Sequence, residues 1–240
     1  MQEAVHPIWG LRQRPLVFVD DLDRPCLTLD DLHHFERVLR LERGQLITIG
    51  DGAGRWREAQ YGPRPTPTGE IGHLVGPEPP ITVAFVPVKG QGPDWYVQKL
   101  TELGVDEIVP VISARSVVRW DPVRAARQRA RMIRAAREAC LQCRRLTLPR
   151  IGPLTRLEAL VGERQDRGQT VVLADPDGDA MSPTHTMIVV GPEGGFTTDE
   201  LSLAPAVALP GHILRAETAA VAAATIACGF RAQMVAPPSR

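Results

Sequence analysis

The chain lacks the marks of an exported, membrane-spanning or cross-linked protein. Its four cysteines in 240 residues, Cys26, Cys140, Cys143 and Cys228, are too sparse for a disulfide framework and read as reduced core thiols. No segment approaches the roughly 18 consecutive apolar residues of a spanning helix. Met1 to Gly10 have no cationic start followed by an apolar run, so the expected location is the cytoplasm. Cys140-x-x-Cys143 has no second ligand pair at zinc spacing and lies inside a helical pattern rather than opening one, so neither metal nor redox chemistry is expected. The phosphate-loop, G-x-G-x-x-G and G-x-S-x-G signatures are all missing.

Net charge is missing too: 28 Lys+Arg balance 28 Asp+Glu. The balance conceals segregation. Between Arg115 and Arg150 stand eleven arginines against only Asp121 and Glu138, whereas Gly168 to Leu214 contains six acids and no Lys or Arg. A basic patch on a neutral protein is therefore expected, and phosphates are its natural partners. At 43% apolar and 23% charged residues the chain is neither disordered nor fibrous, and its length fits one large domain or two smaller ones.

Proline and glycine place the division. Gly62-Pro-Arg-Pro-Thr-Pro-Thr-Gly69 and Gly76-Pro-Glu-Pro-Pro80 cannot hold a helix, so a boundary is expected near residue 76, giving domains of 1–76 and 77–240. The first contains β-prone runs at Leu16 to Val19, Gln45 to Ile49 and Glu70 to Val75, with a hairpin-type turn at Asp51-Gly-Ala-Gly54. Asp30 to Arg40 places Leu32, Phe35, Val38 and Leu39 at helical spacing. A small β-barrel-like domain with one helix is predicted, with His33 and His34 on the helix surface. The second domain alternates strands at 82–88, 107–112, 170–174, 187–190 and 206–209 with helices at 94–103, 122–145, 198–203 and 217–234. That pattern predicts an α/β fold with a mostly parallel, fully covered sheet.

On the long helix, Arg127, Arg131, Arg134, Glu138, Gln142 and Arg145 share one stripe, while Ala125, Met132, Ile133, Ala136, Ala139, Cys140 and Cys143 cover the other side. Four arginines with one acid suit either solvation or contact with nucleic-acid phosphates. The strongest chemical signal is Gly191-Pro-Glu-Gly-Gly-Phe196, set between an apolar strand and the helix start Thr198-Asp-Glu200. Strand, glycine loop and helix build ligand sites at the carboxyl ends of parallel strands. Glu193 and the absent lysine favour a cationic or neutral cofactor over a polyphosphate. Leu173-Ala-Asp175 and Leu209 to Thr218 would converge on the same place, and Arg215 beside Glu217 is either a capping pair or a site. Asp175-Pro-Asp-Gly-Asp179 reads as a turn, since its glycine falls at the fourth position of a would-be calcium loop and not the sixth. No metal site is expected.

These residues resemble the RsmE family, which methylates an imide nitrogen of a uridine in 16S ribosomal RNA with S-adenosylmethionine. The resemblance is carried by Gly191-Pro-Glu-Gly-Gly-Phe196, Leu209 to Thr218, Gln98-Lys-Leu-Thr-Glu-Leu-Gly-Val105, Lys89-Gly90, Arg115-Ser-Val-Val118 and Ala139-Cys-Leu-Gln-Cys-Arg-Arg145 followed by Leu148-Pro149. His34 to Arg40 and Gly44 to Gly54 resemble the family's PUA-like RNA-binding barrel, so the likeness spans nearly the whole chain. It implies a SPOUT-type domain with a deep trefoil knot, a homodimer with the substrate site near its interface, and 16S rRNA in the small ribosomal subunit as partner. It also implies cofactor loops at 173–175, 191–195 and 209–214. The cofactor residues would be Leu173, Ala174, Gly191, Pro192, Glu193, Gly194, Gly195, Leu209, Pro210, Gly211, Ile213, Leu214 and Thr218, with no metal. Arg215 would stabilise charge on the uracil, and Glu217 would orient it or take the proton. Arg115, Arg127, Arg131, Arg134 and Arg145 would meet RNA. The chain departs from the family at Leu209-Pro-Gly-His212, where Leu-Gly-Pro-Arg is usual, at Ala216 and at Leu141, and residues 1–13 form an extension expected to be disordered. Two other readings stay open at this point: a non-catalytic RNA-binding or ribosome-assembly module, and a SPOUT methyltransferase acting at a different RNA position.

Overall fold

The computed structural model describes residues 13–90 and 92–236. The expected N-terminal extension falls, over residues 1–12, outside the described residues. Contacts divide the chain into two units, one holding the residues up to Gly76 together with Glu138–Leu148, the other Pro77–Arg137 and Pro149–Arg240. The segment Glu138–Leu148 was expected to belong to the second domain. It groups with the first because Cys140 and Leu146 are buried in one cluster with Leu16 and Phe18, while Leu148 N–H donates to the Gly52 carbonyl at 2.8 Å.

In the smaller unit, β1 (Leu16–Phe18) pairs in parallel with β2 (Leu46–Gly50), and β2 pairs antiparallel with β3 (Arg55–Gln60). β3 in turn carries the two short strands β4 (Thr66–Pro67) and β5 (Gly72–His73). The expected strand at 70–75 shrinks to that last pair. β3 escapes a hydrophobicity reading because Arg-Trp-Arg-Glu-Ala-Gln buries only Ala59. The helix expected from Asp30 to Arg40 begins as α1 (Leu29–His33), where Thr28 and Asp31 form a reciprocal capping box. It then widens: Leu39 N–H donates to the His34 carbonyl five residues back. The wider turn swings Val38 out to 62% exposure while Phe35 stays buried and Leu39 and Leu41 pack around it. His33 and His34 are both exposed, as expected.

The larger unit contains a seven-stranded sheet, every pair of it parallel. Its order is β12 (Ala206–Ala208), β10 (Val171–Ala180), β11 (Met187–Val190), β6 (Thr82–Phe85), β7 (Glu107–Ile112), β8 (Arg150–Ile151), with β9 (Thr155–Arg156) also on β7. Alternate residues feed two cores. Val83, Phe85, Val172, Ile188 and Val190 face α2 (Pro93–Leu103), α3 (Pro122–Cys143) and α6 (Ala216–Arg231). Ala84, Val171, Leu173, Met187 and Val189 face α4 (Leu157–Asp166) and α5 (Thr198–Leu201). Burial on both faces explains why these strands read as continuous apolar runs. α4 was not anticipated, since Gly162 and four charged residues interrupt its apolar pattern.

Three helices end earlier than expected, α5 at Leu201 among them. α3 stops at Cys143 because Arg144 adopts the left-handed conformation at φ 63°, and Arg145 N–H reaches back to the Cys140 carbonyl. α6 stops at Arg231, whose guanidinium pairs with Asp106 and donates to the Gly104 carbonyl. Met132, Ala136, Ala139 and Cys140 are buried as the helical wheel requires, but Ile133 is 46% exposed. Among the described residues no helix is long and apolar enough to cross a membrane.

Cys140 gives a pH signature. Burial pushes its thiol up from 9.0 to about 12. The unfolded thiol ionises first, so the stability it contributes is complete below about pH 9 and is lost as pH rises toward the folded value. Thermal melts should show Tm falling above about pH 9, and Cys140→Ala should flatten that slope; equal slopes in the two proteins would refute the assignment.

Candidate cofactor and methyl-transfer site

The carboxyl ends of β10, β11 and β12 lie side by side, and the loops leaving them enclose a cleft of about 640 Å³. This is the usual crevice of an open α/β sheet, of a size suited to a nucleotide-like ligand. β10 supplies Ala174, Asp175 and Pro176; β11 and its loop supply Val190, Gly191, Pro192, Glu193 and Gly195. The segment after β12 supplies Leu209, Gly211, His212, Ile213 and Leu214, and α6 adds Ala216 and Ala219.

Local chemistry shapes each wall. At β10, Asp175 and Asp179 bracket a bulge: Ala174 and Asp179 both register with Val207 of β12, and Asp177 N–H donates to Asp175 Oδ1 at 3.1 Å. The turn expected at 175–179 is thus a loop within a longer strand. Gly178 is required there, because a Cβ would overlap the backbone of Ala206 and Val207. In the second wall, Gly195 adopts φ 67° and its N–H closes a turn onto the Pro192 carbonyl at 2.8 Å. Thr197 and Glu200 then form the capping box that starts α5.

The lining is mostly apolar, with the carboxylates of Asp175 and Glu193 and no Lys or Arg. Such a wall attracts a cation and repels a polyphosphate. Ile213, 88% exposed, is an apolar side chain left at the mouth. Beneath the sheet ends Tyr96 is buried and stacked on Phe85, ring centroids 4.4 Å apart. Burial first, then the charges of Glu217 and Glu193, push its phenol well above the ordinary range, so it stays a neutral donor; its hydroxyl has no partner.

The profile of an RNA methyltransferase domain matches residues 75–228, the region that holds the sheet and the cleft. The chain belongs to this family. Within it, ribosomal RNA small subunit methyltransferase E of Bacillus subtilis (strain 168) is 30% identical over 219 residues, covering 80% of this chain and 85% of that protein. The enzyme of the same name from a Synechocystis strain is 30% identical over 212 residues, covering 80% and 69%. The crystal structure of ribosomal RNA small subunit methyltransferase E from Neisseria gonorrhoeae bound to S-adenosyl methionine superposes with a TM-score of 0.71 at 29% identity, over 90% of this chain and 98% of that one.

Against this cleft, the residues expected at the cofactor sort cleanly. Ala174, Gly191, Pro192, Glu193, Gly195, Leu209, Gly211, Ile213 and Leu214 line it. Leu173 does not: strand alternation turns it into the core under α4 and α5. Gly194 and Pro210 are exposed and outside the lining, and Thr218 is exposed on α6, off the face that presents Ala216 and Ala219. Arg215 is exposed at the N-cap of α6, between the lining residues Leu214 and Ala216, and Glu217 is half-buried in the first turn.

The arginines expected at RNA scatter. Arg127 and Arg134 are exposed on α3. Arg131 is paired with Asp94 of α2 at 2.5 Å, an acid the helical wheel could not show. Arg145 lies beyond the end of α3, off the stripe, with its Nε donating to Thr147 Oγ1 at 3.3 Å. Arg115 is bonded to the glycine loop itself. Sequence reading missed Pro176, Ala216 and Ala219, ordinary residue types that line the cleft through position alone. Among the described residues no group of three or more His, Cys, Asp or Glu could hold a metal ion.

Proposed function

We propose that the protein transfers a methyl group from S-adenosylmethionine to N3 of one uridine in 16S ribosomal RNA, acting in the cytoplasm as a homodimer on the small ribosomal subunit. The coarser statement, an S-adenosylmethionine-dependent methyltransferase of small-subunit ribosomal RNA, follows from family membership. The observation that carries the reading is the cleft: apolar, carboxylate-bearing, free of Lys and Arg in its lining, with Arg215 at its lip.

The residues present fit that cofactor. Apolar Leu209, Leu214 and Val190 would cover a flat base, and the backbone around Gly191, Gly195 and Gly211 would approach it closely. Asp175 and Glu193 would favour its positive charge. When bound, S-adenosylmethionine supplies an already activated methyl group, so most of the acceleration would come from positioning. An imide nitrogen must lose its proton to react. Arg215 would stabilise the resulting negative charge on the uracil oxygen, and Glu217 would orient Arg215 or accept the proton.

A SPOUT domain with a deep trefoil knot is supported by the strand order: β12 follows β11 in the chain but pairs with β10, so the connection returns past β10. A PUA-like barrel at 1–76 is supported by the tightly paired sheet of the smaller unit around Ile47, Ile49 and Phe35, and the methyltransferase domain would be 77–240. Arg127 and Arg134 would meet RNA phosphates. The deciding test is mass mapping of nucleotides after incubation with subunits from a methylation-deficient strain. A single new methyl group at uridine N3 is expected. A methyl group on another atom would reassign the target, and no calorimetric binding of S-adenosylmethionine at millimolar concentration would favour a non-catalytic RNA-binding module.

A further inference from the structure

The segment that follows β7 is fastened to the glycine loop from across the sheet. Arg115 Nη1 donates to the Gly194 carbonyl at 2.6 Å and to the Phe196 carbonyl at 3.1 Å. Its stem lies over Gly194, where an added Cβ would stand 3.6 Å from Arg115 Cδ. Next to it, Ala114 N–H donates to Glu200 Oε1 at 2.7 Å, and Glu200, only 3% exposed, uses Oε2 to accept from Thr197 N–H at 2.9 Å. The base of this segment is itself rigid, since Ser113 N–H donates to Ser116 Oγ at 2.8 Å and both serines are buried.

The two carbonyls that Arg115 holds bracket Gly195, the residue in the left-handed conformation that lines the cleft. Left alone, a glycine-rich loop samples many conformations. One guanidinium bridging the carbonyls on either side of Gly195 removes that freedom, and charge-assisted bonds of this kind are about twice as strong as neutral ones. Arginine suits the task where lysine does not, because its planar fork presents several donors at fixed angles. Of the α3 arginines expected at RNA, Arg127 and Arg134 are exposed and Arg131 is paired with Asp94, whereas Arg115 is committed to main-chain oxygens.

We infer that Arg115 is a positioning residue for the cofactor loop, holding Gly195 in the conformation that completes the cleft, and is not an RNA contact. The inference rests on reading the cleft as the S-adenosylmethionine site. Its test combines calorimetry with S-adenosylmethionine, hydrogen exchange of the loop amides and the salt dependence of RNA binding, on the full chain. Arg115→Ala should weaken cofactor binding by at least about tenfold and speed exchange at Gly195 by a similar factor in the cofactor-free protein. KM for S-adenosylmethionine should rise while kcat at saturation, RNA affinity and the salt slope hold. Arg115→Lys, which keeps the charge and guards against a folding defect in the alanine variant, should restore only part of the affinity. Unchanged exchange and cofactor affinity, with a salt slope reduced by about one, would overturn the inference and make Arg115 a phosphate contact. No binding of S-adenosylmethionine to the unaltered protein would instead overturn the cofactor reading beneath it.

Discussion

Replacing Arg215 with alanine is expected to lower methyl transfer by about 10²–10³-fold or more while leaving S-adenosylmethionine binding measurable, the magnitude seen when a donor to developing negative charge is removed. Position supports this. Arg215 holds the N-cap of α6 in extended conformation, φ −65° and ψ 153°, yet its side chain makes no capping bond. Arginine is a poor N-cap and its charge opposes the helix dipole at that end, so helix stability does not explain it. Its neighbours Leu214 and Ala216 line the cleft, so the backbone wall survives truncation of an exposed side chain. It is also the sole Lys or Arg between Gly168 and Phe230. Methylation of 30S particles and calorimetry with the cofactor, run on the same variant, separate the two effects. Full activity in Arg215→Ala would remove the residue from the reaction.

Arg164→Met should cause the largest loss of stability. Arg164 on α4 donates from Nη2 to Glu107 Oε1 at 2.6 Å and from Nη1 to Oε2 at 3.0 Å, with both residues buried. Arg150 adds a third contact at 2.5 Å, but its side chain is 60% exposed. Removing Arg164 leaves a buried carboxylate with only the solvent-exposed Arg150 and a long 3.5 Å bond from the Thr82 hydroxyl, at a cost of about 3 kcal/mol or more. In a chain of this size that corresponds to a fall in Tm of roughly 6–12 °C. The pair is imperfect, since Arg164 Nε has no partner. Glu107→Leu combined with Arg164→Met should therefore recover most of the loss, because neither charge then remains buried alone. A single variant melting within about 2 °C of the unaltered protein would show that Arg150, Thr82 and solvent suffice.

Which parts of the molecule were legible in its sequence follows from how directly each residue's surroundings are set by its neighbours in the chain. The β6, β7, β10 and β11 strands were readable because burial on both faces demands unbroken apolar runs such as Met187-Ile-Val-Val190. The glycine loop was readable because tight turns and close approach require glycine. β3 and α4 were not, because one is polar on its exposed face and the other buries an arginine through an ion pair formed 57 residues away. Val38 and Arg145 were misplaced for a local reason: a widened turn and a left-handed residue rotate everything beyond them.

At the site, the sequence by itself determined the three loops, the absence of basic residues from the cleft lining and the lone arginine beside it, because these are properties of contiguous segments. Tertiary structure decided the rest. Only strand pairing could turn Leu173 into the core while Ala174 faces the cleft. Only helix packing could bring Asp94 to Arg131 and set Tyr96 within reach of the charges on Glu217 and Glu193. And only the return of the chain past β7 could place Arg115, one of eleven arginines in a basic stretch, on the carbonyls of a loop 79 residues away. Charge type is written in the sequence, but the partner of a charge is whatever the fold places within a few ångströms, where Coulomb energy and hydrogen bonding act.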